Sequence, residues 1–159
     1  MWDGSVSILV LASLLKASLV AQVDPYVLMG VCHAESGLVA TVSNWDDPNG
    51  GSHGLCQVAL LTAKNLSGNR HIKPNDLYDP QLNAVLAAKL LKENYELNNG
   101  DKWKAISMYN VGSSRWYNEA YVGRVRNSMN KIKKMLCLDH LLRPLERPFK
   151  NDTNEHTFF

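Results

Sequence analysis

The sequence predicts an all-α, single-domain fold, and three observations carry that prediction. Apolar residues recur at three- and four-residue spacing in one stretch after another, the period of a helix face. Aspartate, proline, asparagine and glycine punctuate those stretches at short intervals, as helix starts and stops do. Only residues 44–52, Asn44 to Ser52, are too dense in turn formers for a regular helix, and a short hairpin or β-turn pair there is the only strand structure expected. A chain of 159 residues, 45% apolar and 20% charged, can bury one real core, and it shows no internal repeat.

Taken in order, a first helix is predicted over residues 5–21, apolar on most sides and so suited to a central position. The run from Val6 to Leu15 raises the question of a signal peptide, but Asp3 stands where a basic head belongs and Lys16 interrupts the apolar stretch. A membrane span would need about 18 uncharged apolar residues. A buried helix is therefore expected rather than a targeting segment or a span. The next helix starts at Asp24-Pro25, an N-cap followed by a residue whose missing donor would be orphaned anyway. Along it Leu28, Val31, Cys32 and Glu35 share one face, and Gly37 supplies the stop. The turn-rich loop 38–53 follows, then Gly54 to Val58 and a short helix, Ala59 to Leu66. A second loop covers residues 67–80, with Asp79 capping a helix that begins at Pro80 and ends near Asn98-Asn99-Gly100. Leu82, Val85, Leu86, Lys89, Leu90 and Glu93 would form its mostly apolar face. Asp101 caps a helix from Lys102 to Tyr109, with Trp103, Ala105 and Ile106 inward. A last helix starts around Arg115 and carries the cleanest amphipathic pattern: Val122, Val125, Met129, Ile132 and Leu136. Past residue 138 the pattern dissolves, so residues 1–138 form the domain and 139–159 a partly ordered extension, where Phe158 and Phe159 offer a docking end.

Charge and cysteines bound the chemistry less tightly. A formal net charge of +2 does not call for a nucleic-acid partner, and the basic outer face of the last helix (Arg124, Arg126, Lys131, Lys133, Lys134) reads as solvated. His33, His53, His71, His140 and His156 are scattered, with no metal-ligand spacing, so neither a metal nor a cofactor is expected. Cys32, Cys56 and Cys137 are odd in number and widely spaced; free, buried thiols are the default, with one Cys-Cys contact allowed.

One residue stands out against this background. Glu35 is a carboxylate on the apolar face of a helix, near its negative end. Burial and the helix dipole both raise the pKa of such an acid, which makes it a candidate proton donor near neutral pH. A solvated or salt-bridged glutamate at a helix end is the structural alternative. Two further stretches carry matching chemistry. In Gly54-Leu55-Cys56-Gln57 the glycine permits close backbone approach and Gln57 offers an amide. In Tyr109-Asn110-Val111-Gly112 a polar aromatic and an amide end an apolar helix. Trp45, Tyr109, Trp116, Tyr117 and Tyr121 supply flat apolar faces of the kind that stack on sugars.

Read together, these motifs resemble the catalytic domain of the soluble lytic transglycosylases. Val23-Asp24-Pro25 leads into Glu35-Ser36-Gly37, which matches the family's E-S-G. Gly54-Leu55-Cys56-Gln57-Val58 matches G-L-M-Q-I, followed by Thr62-Ala63; Tyr109-Asn110-Val111-Gly112 matches Y-N-A-G, and Tyr121-Val122 the later Y-V. The resemblance spans about residues 8–136 and implies a lysozyme-like fold with a short loop or hairpin region beside a cleft. It implies cleavage of the β-1,4 bond between N-acetylmuramic acid and N-acetylglucosamine in peptidoglycan. Glu35 would be the acid and then the base, leaving 1,6-anhydro ends. Gln57 and Tyr109 would hold substrate, with Ser36, Asn110 and Tyr121 in supporting contacts. Cys56 departs from the motif's methionine, which touches packing more than chemistry.

Two alternatives remain open on sequence. A hydrolase on the same fold, as in goose-type lysozymes and phage endolysins, would use a second carboxylate, for which Asp46 and Asp47 are the candidates; both also suit turn capping. A non-catalytic wall-binding or structural protein is the other, against which the intact E-S-G motif argues. The implied partner is the peptidoglycan glycan strand, met by a monomer in the periplasm or outside the cell, and a short stand-alone domain suits a phage-encoded enzyme.

Overall fold

The computed structural model of the protein describes residues 7–136. The expectations for residues 137–159, including the extension, Cys137 and the Phe158-Phe159 end, lie outside the described residues. Six α-helices form the frame: α1 (Ile8–Ala21), α2 (Pro25–Ser36), α3 (Leu60–Ser67), α4 (Pro80–Leu97), α5 (Lys102–Val111) and α6 (Glu119–Leu136). A 3-10 turn, Pro74–Tyr78, interrupts the second loop. The turn-rich stretch forms strands β1 (Ser43–Asn44) and β2 (Ser52–His53), as expected for a hairpin, and a third strand β3 (Val58–Ala59) joins them. The sheet is antiparallel in the order β1-β2-β3, pairing Asn44 with Ser52 and His53 with Val58. The fold is thus predominantly α-helical with a small three-stranded region, consistent with the lysozyme-like architecture.

The helix starts follow the sequence closely. Asp24 Oδ1 accepts from the Tyr26 amide at 2.8 Å, Asp79 from Gln81 and Leu82, and Asp101 from Trp103 and Lys104. Gly37 closes α2 in the left-handed conformation that favours glycine. The start of α6 differs: it begins at Glu119, not near Arg115, because Asn118 caps it by accepting from the Tyr121 amide at 3.0 Å.

α2 is the central element. Val27 through Cys32 are buried in succession, and α6 crosses α2 closely at Gly30. A Cβ at Gly30 would run into the Met129 side chain, so glycine is what lets the two helices approach. α1 is not central, contrary to expectation. It packs on α4 through one face, Val10, Leu14 and Ala17, while Ile8 (85% exposed), Leu19 (78%) and Val20 (76%) face outward. Apolar composition on all sides permits burial but does not supply the neighbours that burial needs. The inward face of α4 agrees with the predicted one in part: Leu86 is buried and Leu82 and Val85 pack against the core, but Ala84, Ala87, Ala88, Leu91 and Asn94 are also buried, whereas Lys89 and Glu93 are exposed. Small alanines contribute little to an apolar pattern, yet these are fully buried. In α5, Ala105 and Ile106 are buried as expected, and the half-buried Trp103 lies beneath Arg126, whose guanidinium carbon is 4.4 Å from the ring centroid.

Of the two cysteine expectations, free thiols by default and one Cys-Cys contact as the alternative, the structure shows the second for Cys32 and Cys56. Cys32 and Cys56 form a disulfide, both fully buried, joining α2 to the loop before β3. They stand 24 residues apart, and only the folding back of residues 54–57 onto α2 brings them together.

Candidate active site

The last turn of α2 carries Glu35 to the wall of a cleft of about 310 Å³. Asn44, Asp47, Asn49 and Ser52 from the hairpin line one side, Gln57 and Thr62 the floor, and Tyr109, Asn110 and Gly112 at the end of α5 the other. Glu35 is mostly desolvated, and burial pushes its pKa above the ordinary carboxylate value, partly offset by the Tyr121 hydroxyl and the nearby Arg124 cation. Tyr121 is buried on α6 and its hydroxyl donates to Glu35 Oε1 at 2.5 Å. Its ring is therefore inside the protein and not available as a sugar platform. Burial and the Glu35 charge hold the Tyr121 phenol far above its ordinary pKa, so it stays a donor at every working pH.

The loop carrying Gln57 is built by several converging bonds. Gly54 has φ +81°, and a Cβ there would overlap the Leu77 carbonyl and the Asn83 amide, so only glycine fits. Asn83, fully buried on α4, donates to His53 O (2.8 Å) and Leu77 O (2.9 Å) and accepts from the Cys56 amide (2.8 Å). Tyr109 donates its hydroxyl to Cys56 O at 2.8 Å. Gln57, at φ +49°, sends its amide hydrogens to Val42 O and Gly54 O, both at 2.9 Å, which leaves the Oε1 end for a ligand. Sequence patterns missed Asn83, whose only signal was a polar residue inside an apolar helix.

Of the predicted residues, Glu35, Gln57, Tyr109, Asn110 and Asp47 share the cleft. Asn110 Oδ1 accepts from Asn118 Nδ2 at 2.9 Å, tying the cleft edge to the start of α6. Ser36 sits behind them: its hydroxyl donates to Leu55 O at 2.5 Å and accepts from the Val39 amide at 3.1 Å, a brace between α2 and the loop where a ligand contact was expected. Asp46 is exposed, is not among the lining residues, and has its amide bonded to Asn44 Oδ1. Asp47 lines the cleft and also holds the hairpin, accepting from Ser52 Oγ at 2.5 Å and the Asn49 amide at 2.9 Å. The Ser52 and Asn49 bonds lower its pKa, so it stays ionised. Trp45 is 65% exposed beside the hairpin, edge-on to the His53 ring with centroids 4.6 Å apart; Trp116 and Tyr117 are exposed after α5. Among the described residues no cluster of three or more His, Cys, Asp or Glu could hold a metal ion, and no helix is long and apolar enough to cross a membrane.

A second cavity, of about 290 Å³, lies between the α1–α2 link, α4 and α5, lined by Val23, Leu91 and Ile106. Its carboxylate, Asp24, is the helix cap, whereas the other cleft holds the desolvated acid, which makes that cleft the candidate site.

Comparison with known proteins bears on the fold and the family. In a solved structure of an inactive glutamate-to-glutamine mutant of the lytic transglycosylase Slt from Pseudomonas aeruginosa, the similar region covers 86% of this chain. The TM-score is 0.57 at 19% sequence identity, a likeness of fold. The chain spans 24% of the length of that protein. The family model described as "Transglycosylase SLT domain" matches residues 13–130, from within α1 to two thirds of the way along α6, and so takes in every element that lines the cleft. The chain belongs to the transglycosylase SLT domain family.

Proposed function

We propose that this protein is a peptidoglycan lytic transglycosylase that cleaves the β-1,4 bond between N-acetylmuramic acid and N-acetylglucosamine, acting on the cell wall outside the cytoplasm. The observation that carries the proposal is a single carboxylate with a raised pKa, Glu35, held by Tyr121 at the wall of a polar cleft. Protonated, Glu35 gives its proton to the glycosidic oxygen, and the departing N-acetylglucosamine leaves as an alcohol. The substrate's own acetamido oxygen stabilises the muramyl C1 cation. Glu35, now a carboxylate, takes the proton from the muramyl C6 hydroxyl, whose oxygen closes on C1. The acid is regenerated and no water is consumed. Gln57 Oε1 and Asn110, which line the cleft, receive the substrate's N–H and hydroxyl groups in this reading, and Tyr109 and Ser36 hold the loop on which Gln57 sits. A monomer suffices for this chemistry, since every named group comes from one chain.

Asp47 favours a second reading, hydrolysis. It shares the cleft with Glu35 and stays ionised, as the base that activates water in an inverting hydrolase must. Against it, both carboxylate oxygens already accept hydrogen bonds from the hairpin. Mass analysis of digested peptidoglycan separates the two: anhydromuramyl ends are expected, and reducing ends would establish hydrolysis. The variant Glu35→Gln is expected to lose wall clearing while still binding glycan; normal clearing by that variant would overturn the assignment of Glu35, whereas an unmodified protein that binds glycan without clearing would be a binding protein.

A further inference from the structure

The disulfide lies at the junction of the two segments that carry the site. Cys32 is three residues before Glu35 on α2, and Cys56 immediately precedes Gln57. Around Cys56 converge the Asn83 bond to its amide, the Tyr109 bond to its carbonyl and, one residue earlier, the Ser36 bond to Leu55 O. These are hydrogen bonds to α4, α5 and α2; the covalent link to α2 is the disulfide, with the two Cα atoms 4.0 Å apart. The segment it restrains holds Gly54 and Gln57 in the left-handed region, a conformation a non-glycine residue keeps only when its surroundings enforce it.

We propose that the Cys32–Cys56 disulfide is a positioning device that makes the activity of the cleft conditional on oxidation; this rests on the reading of Glu35 and Gln57 given above. Breaking the bond removes the covalent tie between helix and loop at a fully buried point, where two thiols must be repacked in place of one cystine. α2 is locked between α6 and the core, so the loop with Gln57 moves. A displacement of about 1 Å is enough to cost on the order of 100-fold in rate where a substrate must be held against its acid. The reaction that opens the bond is exchange with a dithiol: two electrons and two protons pass to the cystine, giving two thiols, and the dithiol becomes its own disulfide. In a reducing compartment the chain carries thiols and a misaligned site. In an oxidising one, a disulfide donor closes the bond and aligns it.

The test uses the full chain, purified oxidised or fully reduced with dithiothreitol, and assays turnover of labelled, solubilised glycan strands. Far-ultraviolet circular dichroism is recorded on the same samples. The expected result is that reduction lowers kcat at least 10-fold with the helical signal retained, and that reoxidation restores it. The double variant Cys32→Ala with Cys56→Met, whatever its level of activity, is expected to give the same rate with and without reductant. A fall in kcat of less than 10-fold, or a loss that accompanies the disappearance of helix, overturns the proposal: the bond would then be a staple for stability alone. Glu35→Gln assayed in parallel keeps the readings apart. If that variant turns over glycan, the assignment of Glu35 fails, whereas the redox ratio of the unmodified chain is measured independently of it.

Discussion

Glu35 is expensive to keep charged, and the cost is measurable in stability as well as rate. Its folded pKa is raised above the ordinary value of 4.5, mainly by burial. Its contribution is therefore most favourable below that value, where both states are protonated, and is lost as pH rises through the folded pKa. Glu35→Gln removes the charge and keeps an acceptor for Tyr121, so its melting temperature should exceed that of the unmodified protein at pH 8. The gain should shrink towards pH 4.5; a scan across that range, read by calorimetry, checks the sign. Tyr121→Phe acts oppositely on the same acid. The phenol bond lowers the Glu35 pKa, so its loss should move the alkaline limb of the activity profile to higher pH. It should also cost about 1–3 kcal/mol of stability, because the carboxylate is left without its buried donor. An unchanged alkaline limb would mean that Glu35 does not set it.

The elements differ in how much of them could be seen in the sequence, and the reason is physical. Helix starts were legible because a cap is local: Asp24, Asp79 and Asp101 each bond amides two or three residues away. Features that depend on distant chain were not. The exposure of Ile8, Leu19 and Val20 on α1, the third strand at Val58–Ala59 and the Cys32–Cys56 bond each depend on what packs alongside. So does the role of Asp47 as against Asp46: both sit in one turn, and only the fold turns one of them into the cleft. The motif residues that line the cleft could be named from the sequence, whereas Asn83, the residue that fixes their loop, could not. Its importance can be weighed directly. Asn83→Leu deletes three buried hydrogen bonds and leaves the Cys56 amide and two carbonyls without that partner. A loss of about 3 kcal/mol is expected in urea denaturation, against the few tenths typical of an exposed helix position such as Lys89.

At the scale of the fold, two helices far apart in sequence meet at one acid. Glu35 comes from α2 and its hydrogen-bond donor Tyr121 from α6, separated by 86 residues. The depth at which α6 lies on α2 is set at Gly30, where the Met129 side chain fills the place a Cβ would take. Gly30→Ala therefore tests the crossing without touching the cleft. The added methyl must push α6 outward or force Met129 off its rotamer, at a cost of about 1–3 kcal/mol. If α6 yields as a rigid element, the displacement reaches Tyr121 two turns away, the 2.5 Å bond to Glu35 lengthens, and turnover falls with stability. Combining Gly30→Ala with Met129→Ala makes room for the methyl, and the two changes should then be non-additive, the double variant recovering part of the lost rate. Double-mutant analysis of kcat and melting temperature distinguishes this from local repacking. Were Met129 simply to change rotamer, Gly30→Ala would lower the melting temperature and leave kcat where it was. A rate that falls in the single variant and returns in the double one would mean that the helix crossing, remote from the substrate, sets the geometry of the acid.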